Sequence, residues 1–103
     1  MGRRMSYVLV RQAILKRVSL TAVYENYVRH FCPHILGKHH NGVPIVVAFQ
    51  YDGGRMGGLS LSGEWCQFLV PRLHYVRVNG DKWRAGPIVG MPVAGFSHID
   101  VAA

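Results

Sequence analysis

The chain has no long uninterrupted hydrophobic run. A membrane-spanning helix needs roughly 18 to 20 apolar residues in succession, but Arg11 and Lys16 interrupt the first hydrophobic stretch, and prolines and glycines punctuate the later ones. The N-terminal stretch MGRRMSYVLVRQAILKR has an apolar part too short for a signal peptide and no small-residue cleavage site. We therefore expect no membrane association, no export and a soluble cytoplasmic protein.

Cysteine is scarce, with 2 in 103 residues. Two cysteines are too few for the disulfide framework of a small secreted domain, so reduced thiols are expected. Nitrogen and sulfur ligands suited to zinc occur at Cys32, His34, His39, His40 and Cys66. None of them forms the paired ligand knuckles of a strong zinc signature. The sequence therefore predicts neither a metal site nor a cofactor.

Acidic residues are also few, at 5 against 12 Lys and Arg, and the formal net charge is +7. These carboxylates are too scattered for an evident acid-base pair, and no nucleophile-histidine pairing follows from spacing. The segment DGGRMGGLSLSG lacks the Gly-Lys-Ser/Thr of a phosphate loop. We therefore predict a binding protein that is not an enzyme. Its basic surface favours polyanions such as nucleic acids, nucleotides or acidic proteins.

The N-terminal segment predicts one short amphipathic helix over about residues 7–17. Ser6 is a suitable N-cap, and Val10, Ala13 and Ile14 recur at helical spacing. Because valines weaken intrinsic helicity, this helix needs an apolar surface to pack on. A chain of this length has room for one domain with one modest core.

From Val18 the apolar pattern changes to a period of two, which predicts a strand. Glu25-Asn26 predicts a tight turn into a second strand, which Pro33 must interrupt or bend. The run VPIVVAFQY is the most apolar and β-branched, and we assign it to the central strand. Two shorter strands follow, one from Trp65 to Val70 and one up to the Asn79-Gly80 turn.

The predicted fold is mainly β, a small five-stranded SH3-like or Sm-like barrel with one N-terminal helix. A sheet this small buries one face best by curling on itself, and residues 18–84 would form the barrel. Residues 53–63 carry many glycines and are expected to form a mobile loop. The tail, residues 85–103, is rich in Gly and Pro and is expected to have little regular structure.

Three segments occur in order along the chain: AILKR leading into VSLTAVYENYVRHFCPH, then PHILGKHHNGVPIVVAFQ, and finally WCQFLVPRLHYVRV. Together, over roughly Ala13 to Trp83, they resemble a WYL domain, an Sm-like barrel common in bacterial transcriptional regulators. Arg72 matches the later arginine of the family's final motif, and His34 matches the polar position that follows proline. The family's name-giving Trp-Tyr-Leu is replaced here by Pro44-Ile45-Val46.

The resemblance implies a ligand-sensing module without catalysis, in which a basic groove on the barrel holds nucleic acid or a nucleotide-like effector. Regulators of this family carry a helix-turn-helix before the WYL domain, and the single helix before Val18 is too short to contain one. Arginines suit a phosphate-bearing ligand because they grip phosphate bidentately, and aromatic rings suit it because they stack on bases. The candidate ligand-binding residues are Tyr24, Arg29, His34, Trp65 and Arg72, with Arg55 on the glycine-rich loop as a flap.

Four of these candidates also have a simpler interpretation. Tyr24 and Trp65 would serve as core or rim aromatics, Arg29 as a solubilising strand-edge charge, and Arg72 as the partner of Glu64 in a salt bridge. The alternative function is a structural or interaction barrel that dimerises or docks on a regulatory protein partner through exposed strand edges. The altered family positions favour this alternative.

Overall fold

A computed structural model describes residues 2–103 of the chain, with side chains from Met5 onward. The elements in chain order are α1 (Gly2–Lys16), β1 (Leu20–Tyr24), β2 (Tyr27–His39), β3 (Pro44–Gly53), β4 (Glu64–Leu69), β5 (His74–Val78) and β6 (Phe96–Ala102). One turn of 3₁₀ helix, Val70–Arg72, joins β4 to β5. The fold is mainly β with an N-terminal helix, which confirms that part of the prediction, but the sheet is not closed into a barrel. No helix within residues 2–103 has the length and apolar content needed to cross a membrane.

The strands form one antiparallel sheet in the order β4-β3-β2-β1-β5, and β6 pairs with β2 outside this path. The predicted hairpin of the first two strands is confirmed, with Glu25 and Asn26 both at positive φ in the turn. The run predicted to be central forms β3, an inner strand, but the centre of the sheet is β2.

β2 is the longest strand and pairs with three others. β3 lies along one edge of β2, whereas the other edge pairs first with β1, up to Phe31, and then with β6, from Ile35 to His39. The β2–β3 register shifts between Pro33 and Ile35. Pro33 therefore does not end the strand, but it lies where β2 changes its partner, as expected of a residue with no backbone N–H to donate.

Two predictions about the elements were wrong, the start of the helix and the irregular tail. The helix begins at Gly2, so Ser6 is a buried residue within α1 and not its N-cap. The sheet has six strands, since β6 forms within the tail that was expected to be irregular. Most β6 side chains are exposed, and a strand without a buried face needs no alternation of apolar and polar residues that the sequence would reveal. The strand forms because it pairs with β2, which is distant in the chain.

α1 covers one face of the sheet and forms the main core with it. Phe68 lies at the centre of this core, with its ring centroid 4.7 Å from that of Tyr24 and 5.1 Å from that of Phe31. The buried cluster comprises Val10, Ala13, Ile14, Leu20, Ala22, Tyr24, Phe31, Leu36, Val46, Ala48, Cys66, Phe68, Val70 and Leu73. Because strand side chains alternate, each strand also presents residues to the opposite face.

The opposite face is partly covered by residues 79–95, which we call the C-terminal strap. Side chains of β4 hold it: Trp65 Nε1 donates to the Pro87 carbonyl at 2.8 Å, and Gln67 Nε2 donates to the Ala94 carbonyl at 3.2 Å. Val47 and Phe49 are consequently buried although they alternate with core residues of β3. The domain thus has a second, smaller apolar layer beneath a segment that is largely irregular.

Replacing Phe68 with alanine should lower the free energy of unfolding by about 3 to 5 kcal/mol, because it leaves a cavity between two aromatic rings. Urea denaturation measures this loss, and Phe68→Leu should show a smaller one. Leu61→Ala is the matched control, since Leu61 is fully exposed. Equal urea midpoints for the Phe68→Ala and Leu61→Ala variants would show that the core is placed incorrectly.

Candidate nucleic-acid interface

The residues predicted to share one groove lie in three separate places. Tyr24 and Arg29 meet beside the β1–β2 turn, and His34 meets Trp65 beneath the C-terminal strap. Arg72 is exposed and lies in the 3₁₀ turn. Among the described side chains, no hydrogen bond, ion pair or ring contact joins one of these places to another. The structure therefore does not bring all five of these residues into contact with one another.

Arg29 is buried, with 4% of its surface exposed, so its interpretation as a solubilising charge was wrong. Its guanidinium carbon lies 5.4 Å from the centroid of the Tyr24 ring, and Nε donates to the Tyr24 carbonyl at 3.3 Å. The other two nitrogens donate to Gln50 Oε1 at 3.2 Å and to Glu25 Oε1 at 3.4 Å. Every nitrogen of the guanidinium therefore has an internal partner, as a buried cation requires.

Arg55, the proposed loop flap, is held by an ion pair with Glu64 at 3.1 Å. The rival interpretation of Arg72 as the partner of Glu64 was therefore wrong. Arg72 is exposed and forms no ion pair with any described carboxylate. The loop start is held further by Gln50, whose Nε2 donates to the carbonyls of Asp52 and Gly54 at 3.0 Å each.

His34 lies between two tryptophans and fastens the C-terminal strap. Its ring stacks on Trp83 with centroids 4.7 Å apart and meets the edge of Trp65 at 4.8 Å. Nδ1 lies 2.7 Å from the Cys32 carbonyl, which can only accept, and Nε2 accepts the Gly86 N–H at 3.1 Å. Both ring nitrogens are therefore used by the neutral tautomer. Burial lowers the pKa of His34, which favours the same neutral form.

Both cysteines lie in the interior of the protein. Both thiols are free and buried, and burial raises the pKa of Cys66. Cys32 Sγ lies 3.4 Å from Ser19 Oγ and accepts the Arg84 N–H at the same distance. Within the described part of the chain, no three His, Cys, Asp or Glu side chains converge as metal ligands would.

Another group of side chains, which the sequence did not point to, meets on the same side of the sheet as the strap and includes one strap residue. Thr21 of β1 pairs with Arg77 of β5 on one side and with His30 of β2 on the other, so these three side chains share a face. The Tyr51 ring lies 6.4 Å from that of His30, and the Arg84 guanidinium carbon lies 5.3 Å from the Tyr51 centroid. We call His30, Tyr51, Arg77 and Arg84 the basic sheet face.

Hydrogen bonds hold the two rings of this face in place. Asn79 Nδ2 donates to Thr21 Oγ1 and to the Tyr51 hydroxyl, at 2.9 Å each. Thr21 Oγ1 in turn lies within hydrogen-bond distance of His30 Nδ1, at 2.7 Å, and Tyr51 donates to Asp81 at 2.6 Å. Burial and this carboxylate raise the pKa of Tyr51 to about 12, so its phenol stays neutral. The partly exposed rings are thereby oriented before any ligand arrives.

The charge of this face comes from Arg77 and Arg84. Both are exposed, and neither forms an ion pair with a carboxylate of residues 5–103. The Asp81 carboxylate accepts the hydrogen bond from Tyr51. Asp52, in register with His30, borders the face on the side of the glycine-rich loop. The other described cations without such an ion pair are Lys16, Arg17, Lys38, Arg72 and Lys82.

Alternation in VRHFC and HYVRV was the available signal for this face, since it places His30 and Arg77 on particular sides of their strands. It could not show that those sides coincide, because that depends on the pairing of both strands with β1. Comparison of the chain with protein-family models, with curated proteins and with solved structures finds no match. The site therefore has to be interpreted from its own geometry.

Acidification should destabilise the protein through His34. Because its folded-state pKa lies below the ordinary 6.5, the unfolded chain binds a proton first as the pH falls, so stability declines from about pH 6.5 downward and levels off below the folded pKa. Urea denaturation at a series of pH values should show a weaker decline for His34→Gln than for the unmodified protein. His74→Gln, at an exposed position, is the control, and an identical pH profile for all three proteins would contradict the role of His34.

Proposed function

We propose that the protein is a binding module that holds single-stranded nucleic acid or a nucleotide-like anion on the basic sheet face. One observation carries this proposal: two exposed arginines without ion pairs, Arg77 and Arg84, flank the partly exposed rings of His30 and Tyr51. Arginine binds phosphate oxygens through paired N–H groups, and rings of this kind stack on bases. The combination of arginines and rings fits a ligand that carries both phosphates and bases.

The dimensions of the face agree with a short strand of nucleic acid. Its side chains lie on β5, β2, β3 and the strap, with β1 between β5 and β2. Neighbouring strands lie about 4.8 Å apart, so the face is about 14 Å wide from β5 to β3. A phosphate at each arginine would place the intervening bases over His30 and Tyr51. Such binding recognises the backbone and ring surfaces and needs no sequence-specific contacts.

Three further observations support the proposal. The net charge of +7 attracts polyanions over a long range. The helix before β1, the strand order β4-β3-β2-β1-β5 and the 3₁₀ turn between β4 and β5 support an SH3-like or Sm-like arrangement, left open as a sheet. The resemblance to the WYL domain suggests the same class of ligand. The proposal includes no catalytic step, since it requires only the positioning of cations and rings.

Removing either arginine should weaken binding. We expect Arg77→Ala and Arg84→Ala each to lower the affinity for a fluorescein-labelled oligodeoxythymidylate about three- to tenfold and to reduce the slope of log K against log salt by about 0.7. Fluorescence anisotropy at several salt concentrations measures both quantities. Lys38→Ala removes the same charge from an exposed position on the distant half of β2 and should have little effect.

Two outcomes would count against this face. An equal loss of affinity in Lys38→Ala would mean that the oligonucleotide responds only to net charge. A large loss in Arg72→Ala, with Arg77→Ala and Arg84→Ala unchanged, would instead place the ligand at the 3₁₀ turn, where the family resemblance put a binding arginine.

A further inference from the structure

α1 has a second apolar face, on the side away from the sheet. Val10, Ala13 and Ile14 pack into the core with 1% or less of their surfaces exposed. On the opposite side, Met5, Val8 and Leu15 are 56%, 46% and 59% exposed, so about half of each side chain is open to solvent. Single exposed apolar residues are ordinary, but here three lie along one side of a helix that is already anchored.

The spacing of these residues is that of a helix-pairing surface. Met5, Val8, Gln12 and Leu15 follow one another at steps of three, four and three, which are the steps between the a and d positions of a heptad repeat. We call these four residues the outer seam. A polar residue at one a position is a usual device for fixing the register of a helix pair. The seam lacks the Trp and Phe typical of helices that lie in a membrane surface.

We propose that the outer seam binds an amphipathic helix of another protein whose flanking positions are acidic. Charge decides this occupant. Arg11 and Lys16 fall at the g and e positions beside the seam, and α1 contains no acidic residue. A second copy of the chain would bring these cations together, because g faces e in a parallel pair and each faces its own kind in an antiparallel pair. Glutamate or aspartate at those positions would pair with them instead.

The surroundings of the seam hold one of these cations in position. Arg11 Nε lies 3.3 Å from the Asp100 carboxylate of β6, while 45% of the arginine side chain remains exposed. Tyr7 donates to the same carboxylate at 2.5 Å. Arg11 is thereby fixed beside the seam with part of its charge compensated, whereas Lys16 forms no ion pair with a described carboxylate. The seam lies across the sheet from the basic sheet face, so the proposal is independent of nucleic-acid binding.

A designed peptide with Leu at a and d and Glu at e and g tests this proposal on the full chain. Such a peptide cannot pair well with itself, because its glutamates repel one another. Anisotropy of the labelled peptide should show saturable binding, which Val8→Glu and Leu15→Glu each weaken about tenfold or more, as expected for a buried apolar anchor. Lys16→Ala should weaken binding about two- to threefold and lower its salt dependence.

Val93→Glu is the matched control, since Val93 is an apolar residue of the strap with 55% exposure and gains the same charge. Equal urea midpoints would show that the variants fold normally. No saturable peptide binding, or an equal loss in Val93→Glu, would overturn the proposal. A dimer in sedimentation analysis that Leu15→Glu dissociates would assign the seam to a second copy. Binding to phosphatidylglycerol vesicles that Leu15→Glu abolishes, without peptide binding, would assign it to a membrane surface.

Discussion

The pairing of β2 with three strands is the constraint on which the rest of the structure depends. One edge of β2 cannot hold β1 and β6 at the same point, so a short stretch around Pro33 is left between them. The C-terminal residues bond to this stretch: the Arg84 N–H donates to Cys32 Sγ, the Gly86 N–H to His34 and the Ala103 N–H to the His34 carbonyl. The change of partner in β2 thereby supplies the anchor points of the strap.

The interior polar groups are used to hold this arrangement together. On the α1 side of the sheet, Arg29 donates to Gln50, which in turn donates to the Gly54 carbonyl at the start of the glycine-rich loop. On the other side, His34 accepts the Gly86 N–H of the strap. Among the described residues, no buried side-chain nitrogen or oxygen lacks a hydrogen-bond partner. Because an unsatisfied buried polar group is costly, a ligand could reach these residues only by disrupting such bonds. Binding is therefore better sought among the exposed groups.

The two proposed binding surfaces lie on opposite sides of the same sheet. The basic sheet face presents two exposed arginines beside two rings, and an internal network of hydrogen bonds has already oriented the rings. The outer seam belongs to a helix whose inner side is fixed in the core. The rings of the first surface and the helix of the second are held by contacts within the domain, which reduces the conformational entropy lost when a partner binds. Together the two proposals describe an adaptor that joins an anionic ligand to an acidic protein partner.

By itself, the sequence determined the mainly β class, the N-terminal helix, the Glu25-Asn26 hairpin and the positive charge. These features depend on local periodicity, on turn-forming residues or on composition, all of which act over a few residues. Only the tertiary structure decided the presence of β6, the separation of Arg29 from His34 and the meeting of Arg77 with His30 across Thr21. Those features depend on which strands pair and in what register, and such pairing joins residues too far apart in the chain for local patterns to specify.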